Sequence, residues 1–194
     1  MQIKSIILVF MCFLPSLVTA VEPWGKTESE AAMCRVSMRD YDEGRVSNQK
    51  DRGHMHHYCD CLRFTNRALK HSRSSSQFRY NIDVAIDGCS YVVKHVSSSF
   101  YYLPKVYIAR GRAYQYAKDN GNALRDFMAA LKHKPDYARA YIELIKFYQK
   151  IGDDETAMEY AINGLKRKPD SKALKRRYLK LGGKEPFPWV DVVQ

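Results

Sequence analysis

The sequence predicts an all-α protein, an antiparallel helix-hairpin solenoid in which helical hairpins stack side by side. Segments 104–135 and 138–169 repeat one another with an offset of 34 residues, the separation of Tyr107 and Tyr141. Each repeat closes on a proline, Pro135 or Pro169, which cannot continue a helix. A fixed period in the range of about 20–50 residues is typical of arrays whose units bury their apolar faces only by stacking on neighbours.

The two repeats match at defined positions. Identical residues 34 apart include Tyr107 and Tyr141, Tyr114 and Tyr148, Ala123 and Ala157, Leu131 and Leu165, and Pro135 and Pro169. The first repeat has large, small and closing residues at Tyr107, Gly111, Tyr114, Ala123, Phe127, Ala130 and Pro135. This pattern resembles the tetratricopeptide repeat, although Ile145 and Ala161 depart from it in the second repeat. The small residues are expected where two helices cross closely, with large residues filling the gap beside them.

Further helices are expected on both sides of the repeats. A capping helix is predicted over 171–181, ended by Gly182 and Gly183. Upstream, 54–71 and 78–96 predict a divergent hairpin joined by the serine-rich turn 72–76, with Cys61 at its close-contact position. A short helix over about 28–40 and a polar loop over 41–53 precede it. The apolar tail 185–194 is expected to pack Phe187, Trp189 and Val190 onto the end of the array.

The amino terminus has the layout of a secretory signal peptide. Lys4 precedes the apolar run 6–14, Pro15 and the small-residue stretch 16–20. This run is shorter than the roughly 20 residues that span a bilayer. The predicted organisation is a signal peptide over 1–20, an amino-terminal module with the divergent hairpin over 21–103, repeats and capping helix over 104–181, and a tail over 182–194. We therefore expect an exported protein, periplasmic or secreted, with no transmembrane segment after cleavage.

The stretch HMHHYC over 54–59 is similar to that of exported bacterial repeat proteins of no settled function, which carry a comparable cysteine-containing amino-terminal module. The resemblance implies a role in the bacterial periplasm or envelope. The net charge of +11 becomes +10 when Lys4 is removed with the leader. Such a charge is typical of proteins that bind nucleic acid, anionic membrane surfaces or acidic proteins. Export disfavours nucleic acid as a partner.

The cysteines of the exported chain predict two disulfide bonds, because Cys34, Cys59, Cys61 and Cys89 are even in number and disulfides persist outside the cytosol. Three connectivities are open. Cys59 and Cys61 point about 200° apart on one helix, so each should reach a different neighbouring helix. The close-contact position of Cys61 favours Cys61 with Cys89, and hence Cys34 with Cys59. Reduction should then loosen this module before the repeats.

The histidine and cysteine cluster raises a metal site as an alternative. On one helix His54, His57 and Cys61 share a face, while His56 and Cys59 point elsewhere. Structural zinc takes four ligands, and covalent haem attachment would need CxxCH, which the sequence lacks. Disulfides and no cofactor are therefore predicted, with a metal- or haem-handling protein as the alternative function.

The sequence offers no set of residues with a catalytic arrangement. GxSxG, a glycine-rich phosphate loop and HExxH are all missing. Asp153 and Asp154 lie in the turn between repeat helices, where capping explains them. A non-catalytic protein is predicted.

The first helix of each hairpin is expected to line the concave surface, where such arrays usually bind. Its exposed positions carry a basic ladder beside an apolar row: Lys105, Ile108, Arg112, Gln115, Arg139, Ile142, Lys146, Gln149, Arg176 and Lys180. This surface predicts an acidic or extended peptide, or a chain terminus whose carboxylate meets Arg112 or Arg139.

Two other interpretations of these charges stay open. The charges can be a solvated helix face, or the basic carboxy-terminal helix can adhere to an anionic envelope surface. Ile108, Arg112 and Glu143 depart from the carboxylate-clamp subtype of the family, so binding of chaperone tails is not predicted. Arg112 and Lys146 are expected to face solvent, so replacing both with Glu should weaken binding and leave the helices intact.

Overall fold

A computed structural model describes residues 27–37, 51 and 53–187. Within these residues the regular structure is entirely helical, in eight helices: α1 (Glu28–Ser37), α2 (Met55–Ala68), α3 (Ser76–His95), α4 (Leu103–Tyr116), α5 (Asn120–His133), α6 (Ala138–Ile151), α7 (Asp154–Arg167) and α8 (Lys172–Lys180). The predicted signal peptide and most of the predicted loop 41–53 lie outside the described residues. None of the helices in the described part of the chain is both long and apolar enough to cross a membrane.

The helices pack as three successive hairpins, α2 with α3, α4 with α5 and α6 with α7, and α8 closes the array against α6 and α7. The fold class predicted from the 34-residue period is confirmed: the described residues form an antiparallel helix-hairpin solenoid. The helix predicted over 28–40 is described as far as Ser37, and the helix predicted over 171–181 occupies Lys172–Lys180.

The close contacts within each repeat hairpin lie where the pattern places them. A Cβ atom built on Gly111 of α4 would come within 2.8 Å of Cδ1 of Phe127 on α5, so only glycine lets this ring lie against α4. In the next repeat the roles are exchanged, and Gly164 of α7 makes room for Tyr141 of α6. Ile145, which replaces the small residue there, is itself fully buried.

Equivalent aspartates begin the second helix of each repeat. The Asp119 carboxylate accepts a hydrogen bond from the Asn122 amide at 3.0 Å, and Asp153 accepts one from the Thr156 amide at 2.9 Å. Each cap satisfies an amide that the helix leaves without an intrahelical partner. The capping role predicted for Asp153 is confirmed, while Asp154 is the first residue of α7.

The cysteines form two bridges, Cys34 with Cys59 and Cys61 with Cys89, with Cα atoms 5.3 Å apart in each. This is the pairing that the sequence predicts. Gly88 permits the second bridge, because a Cβ atom there would lie 2.9 Å from the His57 carbonyl oxygen and so α2 and α3 approach closely.

A buried ion pair also holds α1 against α2. Two Arg67 nitrogens donate to the Glu30 carboxylate at 2.6 and 2.8 Å, and the Thr27 amide donates to it at 2.9 Å. The hydrogen bond from Arg67, aided by the bond from Thr27 and partly opposed by burial, lowers the pKa of Glu30 to about 2.

We expect this pair to make the amino-terminal module acid-sensitive. Because the pKa of Glu30 is lowered from 4.5 to about 2, its stabilisation is present above about pH 4.5 and is lost as the pH falls towards 2. The loss is at most about 3 kcal/mol. Denaturation of the wild type and Glu30→Gln across this range should show the difference in unfolding free energy shrinking as the pH falls. Glu159→Gln, at an exposed carboxylate on α7, is the control; a difference independent of pH would contradict the assignment.

The tail begins to cover the end of the array. Phe187 is buried beside Tyr178, with ring centroids 5.7 Å apart, and the Lys175 ammonium lies 5.1 Å from the Phe187 ring centroid. The packing expected for Phe187 is therefore present. Trp189 and Val190, for which the same packing is expected, lie outside the described residues.

Candidate functional site

A cleft of about 560 Å³ lies between the first helices of successive hairpins. We call it the groove cleft. α2 and α4 form its sides, and the start of α6 closes one end. Its walls are largely apolar and aromatic: Tyr58, Leu62, Leu69, Ala109, Tyr116 and Tyr137. Thr65 and Asn66 add a hydroxyl and an amide, so the cleft pairs apolar contact with hydrogen-bonding capacity.

Four residues of the predicted ladder line this cleft: Lys105, Ile108, Arg112 and Arg139. Ile108 is buried and forms part of the wall and core, whereas Arg139 is exposed. The other predicted residues lie elsewhere. Ile142 packs beside the core of α6, α7 and α8, Arg176 and Lys180 are exposed on α8, and Gln115, Lys146 and Gln149 are half-buried outside the cleft lining.

A single buried carboxylate organises the cations of the ladder. The side chain of Glu143 on α6 is only 4% exposed and forms ion pairs with Arg112, with Arg139 at 3.5 Å and with Lys146 at 3.3 Å. Arg112 therefore does not simply face solvent, contrary to the expectation from the sequence, and we predict that reversing its charge destabilises the helices. Because Arg112 belongs to α4 and Glu143 to α6, this pair also ties one repeat to the next.

Glu143 is ionised in this environment. Burial alone would raise the pKa of Glu143, but the hydrogen bond and charge of Arg112, together with Lys146, outweigh burial and lower the pKa. Three cations surround one negative charge, which leaves an excess of positive charge around Glu143. Lys105 also lines the cleft. The Lys105 ammonium lies 4.5 Å from the Tyr102 ring centroid, which holds it near α4.

Two phenols of the cleft, those of Tyr58 and Tyr137, stay protonated at neutral pH. Burial raises the pKa of Tyr58 and of Tyr137 above the ordinary value. Their hydroxyl groups therefore remain hydrogen-bond donors. With the cations, they give the cleft a donor-rich lining that suits carboxylate and carbonyl oxygens of a ligand.

The residues that α2 contributes were not singled out from the sequence. Tyr58, Leu62, Thr65, Asn66 and Leu69 lie on one face at steps of three or four residues. The weak match of 54–71 to the repeat pattern hid this face, although its helical spacing was readable.

The histidines gather on another part of the amino-terminal module. His57 of α2 and His95 of α3 lie on either side of Tyr91, with ring centroids 3.8 and 3.9 Å from it, and His54 lies 5.6 Å from both Tyr91 and His95. Burial, with the nearby charge of His56 as the next cause, lowers the pKa of His57.

This cluster does not form the metal site considered from the sequence. The set His54, His57 and Cys61 is wrong as a ligand set, because Cys61 is buried in the disulfide with Cys89 and has no thiolate to offer. No group of three or more His, Cys, Asp or Glu side chains among the described residues is arranged to hold a metal ion. Tyr91 and His95 complete the cluster from α3, a contribution that residue spacing within α2 does not predict.

Comparison with known proteins yields solved structures only. No protein-family model matches the chain, and no curated protein matches it. One similar structure is the first TPR of Spaghetti (RPAP3) bound to the HSP90 peptide SRMEEVD, with 18% identity over 64% of this chain and 94% of that chain and a TM-score of 0.45. Another is the Arabidopsis OM64 TPR domain, with 13% identity, coverage of 64% and 96%, and a TM-score of 0.44.

A third similar structure is the second TPR domain of human RPAP3 in complex with the HSP70 peptide SGPTIEEVD. It shares 14% identity over 66% of this chain and 99% of that chain, with a TM-score of 0.44. All three are helix-hairpin repeat domains.

Proposed function

We propose that the protein is a non-catalytic interaction scaffold that holds an acidic, extended segment of a protein partner in the groove cleft. The observation that carries the proposal is the lining of that cleft. Apolar and aromatic walls lie beside Lys105, Arg112 and Arg139. The buried carboxylate of Glu143 is already shared by Arg112, Arg139 and Lys146. The remaining positive charge favours carboxylates of a ligand, and the walls favour its apolar side chains.

The signal-like amino terminus and the two disulfides support an exported location, periplasmic or secreted. Disulfides form and persist in oxidising compartments, and they stabilise a module there without a large core. We therefore expect the partner to be another envelope or secreted protein.

The test uses peptides of about six residues, which span about 20 Å when extended. One peptide alternates Glu with Leu, and its partner alternates Gln with Leu. Fluorescence anisotropy should show that the protein binds the acidic peptide and binds the Gln peptide at least about tenfold more weakly. Lys105→Gln with Arg139→Gln should weaken binding of the acidic peptide by about tenfold, since two charge contacts are removed.

The matched control is Lys94→Gln with Lys132→Gln. It removes the same charge from exposed positions on α3 and α5, outside the groove cleft. If both double variants weaken binding equally, the effect is one of net charge and the groove cleft is not the site. A third outcome is that the wild type and both double variants bind vesicles of anionic lipid equally and do not distinguish the Glu peptide from the Gln peptide. That outcome would instead support adhesion through the basic helix α8.

A further inference from the structure

A second cavity, of about 650 Å³, opens at the edge of the array where the α2–α3 loop meets the α4–α5 turn. We call it the rim cavity. Its floor is apolar, formed by the buried residues Phe78 and Ile82, and Arg73, Arg79 and Lys118 stand exposed around it. Asp83 is the one acidic residue in the lining, so positive charge predominates. Like the groove cleft, the rim cavity combines apolar walls with cationic side chains.

Lys118 occupies this rim in a conformation that lysine rarely adopts. Its φ is 64°, in the left-handed region that favours glycine. The equivalent residue of the next repeat, 34 positions later, is Gly152 with φ 83°. The backbone turns are the same: the amides of Lys118 and Gly152 each donate to the carbonyl three residues before at 3.2 Å, and Asp119 and Asp153 each donate to the carbonyl five residues before.

The fold therefore does not require lysine at this turn, since glycine forms it without strain in the next repeat. A side chain held in a strained conformation points to a role for that side chain rather than for the backbone. The role available to Lys118 is to bring a third cation to the rim cavity, beside Arg73 and Arg79.

The two arginines are held at the cavity by contacts of their own. Arg79 donates from Nη1 to the carbonyl oxygen of Ser74 at 2.7 Å, and the Arg73 guanidinium carbon lies 5.8 Å from the ring centroid of Tyr116. Tyr116 lines both the rim cavity and the groove cleft. The two cavities therefore share Tyr116 as a wall.

We infer that the rim cavity is a second recognition site for the same acidic, extended partner segment, which passes Tyr116 and places further carboxylates against Arg73, Arg79 and Lys118. The inference rests on the proposed function, because the segment enters by way of the groove cleft. It sets a minimum length for the partner segment and makes Lys118 a specificity-determining residue.

The experiment compares two Glu–Leu alternating peptides, one of about six residues and one of about twelve, spanning about 20 and about 40 Å. The longer peptide should bind the wild-type protein about tenfold more tightly. Lys118→Gly introduces the residue that the next repeat has at this position, and it should lower the affinity for the longer peptide about threefold. Adding Arg79→Gln should lower that affinity to the value for the shorter peptide. Neither change should alter binding of the shorter peptide.

Lys184→Gly is the matched control, since it removes one exposed lysine from a loop at the other end of the array. Lys118→Gly should not lower the melting temperature, so weaker binding is not a folding defect. Suppose that the shorter peptide binds through Lys105 and Arg139. If the longer peptide then has the same affinity as the shorter one, or if Lys118→Gly has the same affinity for the longer peptide as Lys184→Gly, the rim site is overturned and the proposed function stands. If neither peptide binds, both are overturned.

Discussion

Replacing Cys61 and Cys89 together with Ala is expected to lower the unfolding free energy by about 3 kcal/mol. The bridge closes a loop whose ends are 28 residues apart, joins the two helices of the first hairpin, and is fully buried. Without it the unfolded chain gains conformational freedom, and the contact at Gly88 loses its covalent tie. Denaturant unfolding followed by circular dichroism, with and without reductant, measures the change.

The loss of stability should affect the amino-terminal module before it affects the repeats. Hydrogen exchange of the double variant should speed up in α1–α3 while amides of α5–α7 stay protected, because the repeats carry their own core around Phe127 and Leu144. Cys34→Ala with Cys59→Ala is the comparison, and it should release α1 without exposing the first hairpin. Four reactive thiols in the oxidised protein, or unchanged exchange in α2 and α3, would contradict the disulfide assignment.

Reversing the charge of Arg112 should destabilise the repeats as strongly. In Arg112→Glu the buried Glu143 loses its partner on α4 and meets a second carboxylate. Arg139 and Lys146 remain beside Glu143 and Arg112 is itself partly exposed, so we expect a loss of about 3 kcal/mol, at the lower end of the range for broken buried ion pairs. Thermal and denaturant unfolding should both show the loss.

Lys146→Glu is the matched control. Lys146 pairs with the same carboxylate, but it lies on α6 like Glu143 itself and is more exposed than Arg112. It should cost about 1 kcal/mol or less. Adding Glu143→Gln to Arg112→Glu should recover part of the loss, since the carboxylate repulsion disappears. If Arg112→Glu unfolds like the wild type, then Glu143 does not tie α4 to α6.

The fold and the disulfides were readable from sequence for separate reasons. The period of 34 set the hairpins of the repeats, because Gly111 and Phe127 can only pack as they do in that register. The cysteine pairs followed from helix geometry, since Cys59 and Cys61 cannot face the same neighbour.

The site could be predicted only in part, because the sequence shows which charges share a helix face but not which side chains meet across two helices. Glu143 lies 31 residues after Arg112, so their contact depends on how consecutive repeats stack. By contrast, Glu143 lies four residues after Arg139 and three before Lys146 on α6, a spacing that predicts ion pairs within one helix. Likewise, Tyr91 and His95 join the histidines only through the packing of α3 on α2. The repeat alignment places Lys118 opposite Gly152. That lysine is unusual at this position follows only from the structure, in which both residues have a positive φ.

Site-specific photo-crosslinking tests the proposed role of the groove cleft most directly. A photoreactive phenylalanine analogue replaces Leu69, which lines the groove cleft and is 47% exposed, or Met128 on α5, which lies outside it and is 50% exposed. In cells that produce the protein, the account predicts a protein crosslink at position 69, mapped by mass spectrometry to an acidic, extended segment and lost on Lys105→Gln with Arg139→Gln. Equal crosslinking at both positions, or a position 69 product that survives the double substitution, would contradict it.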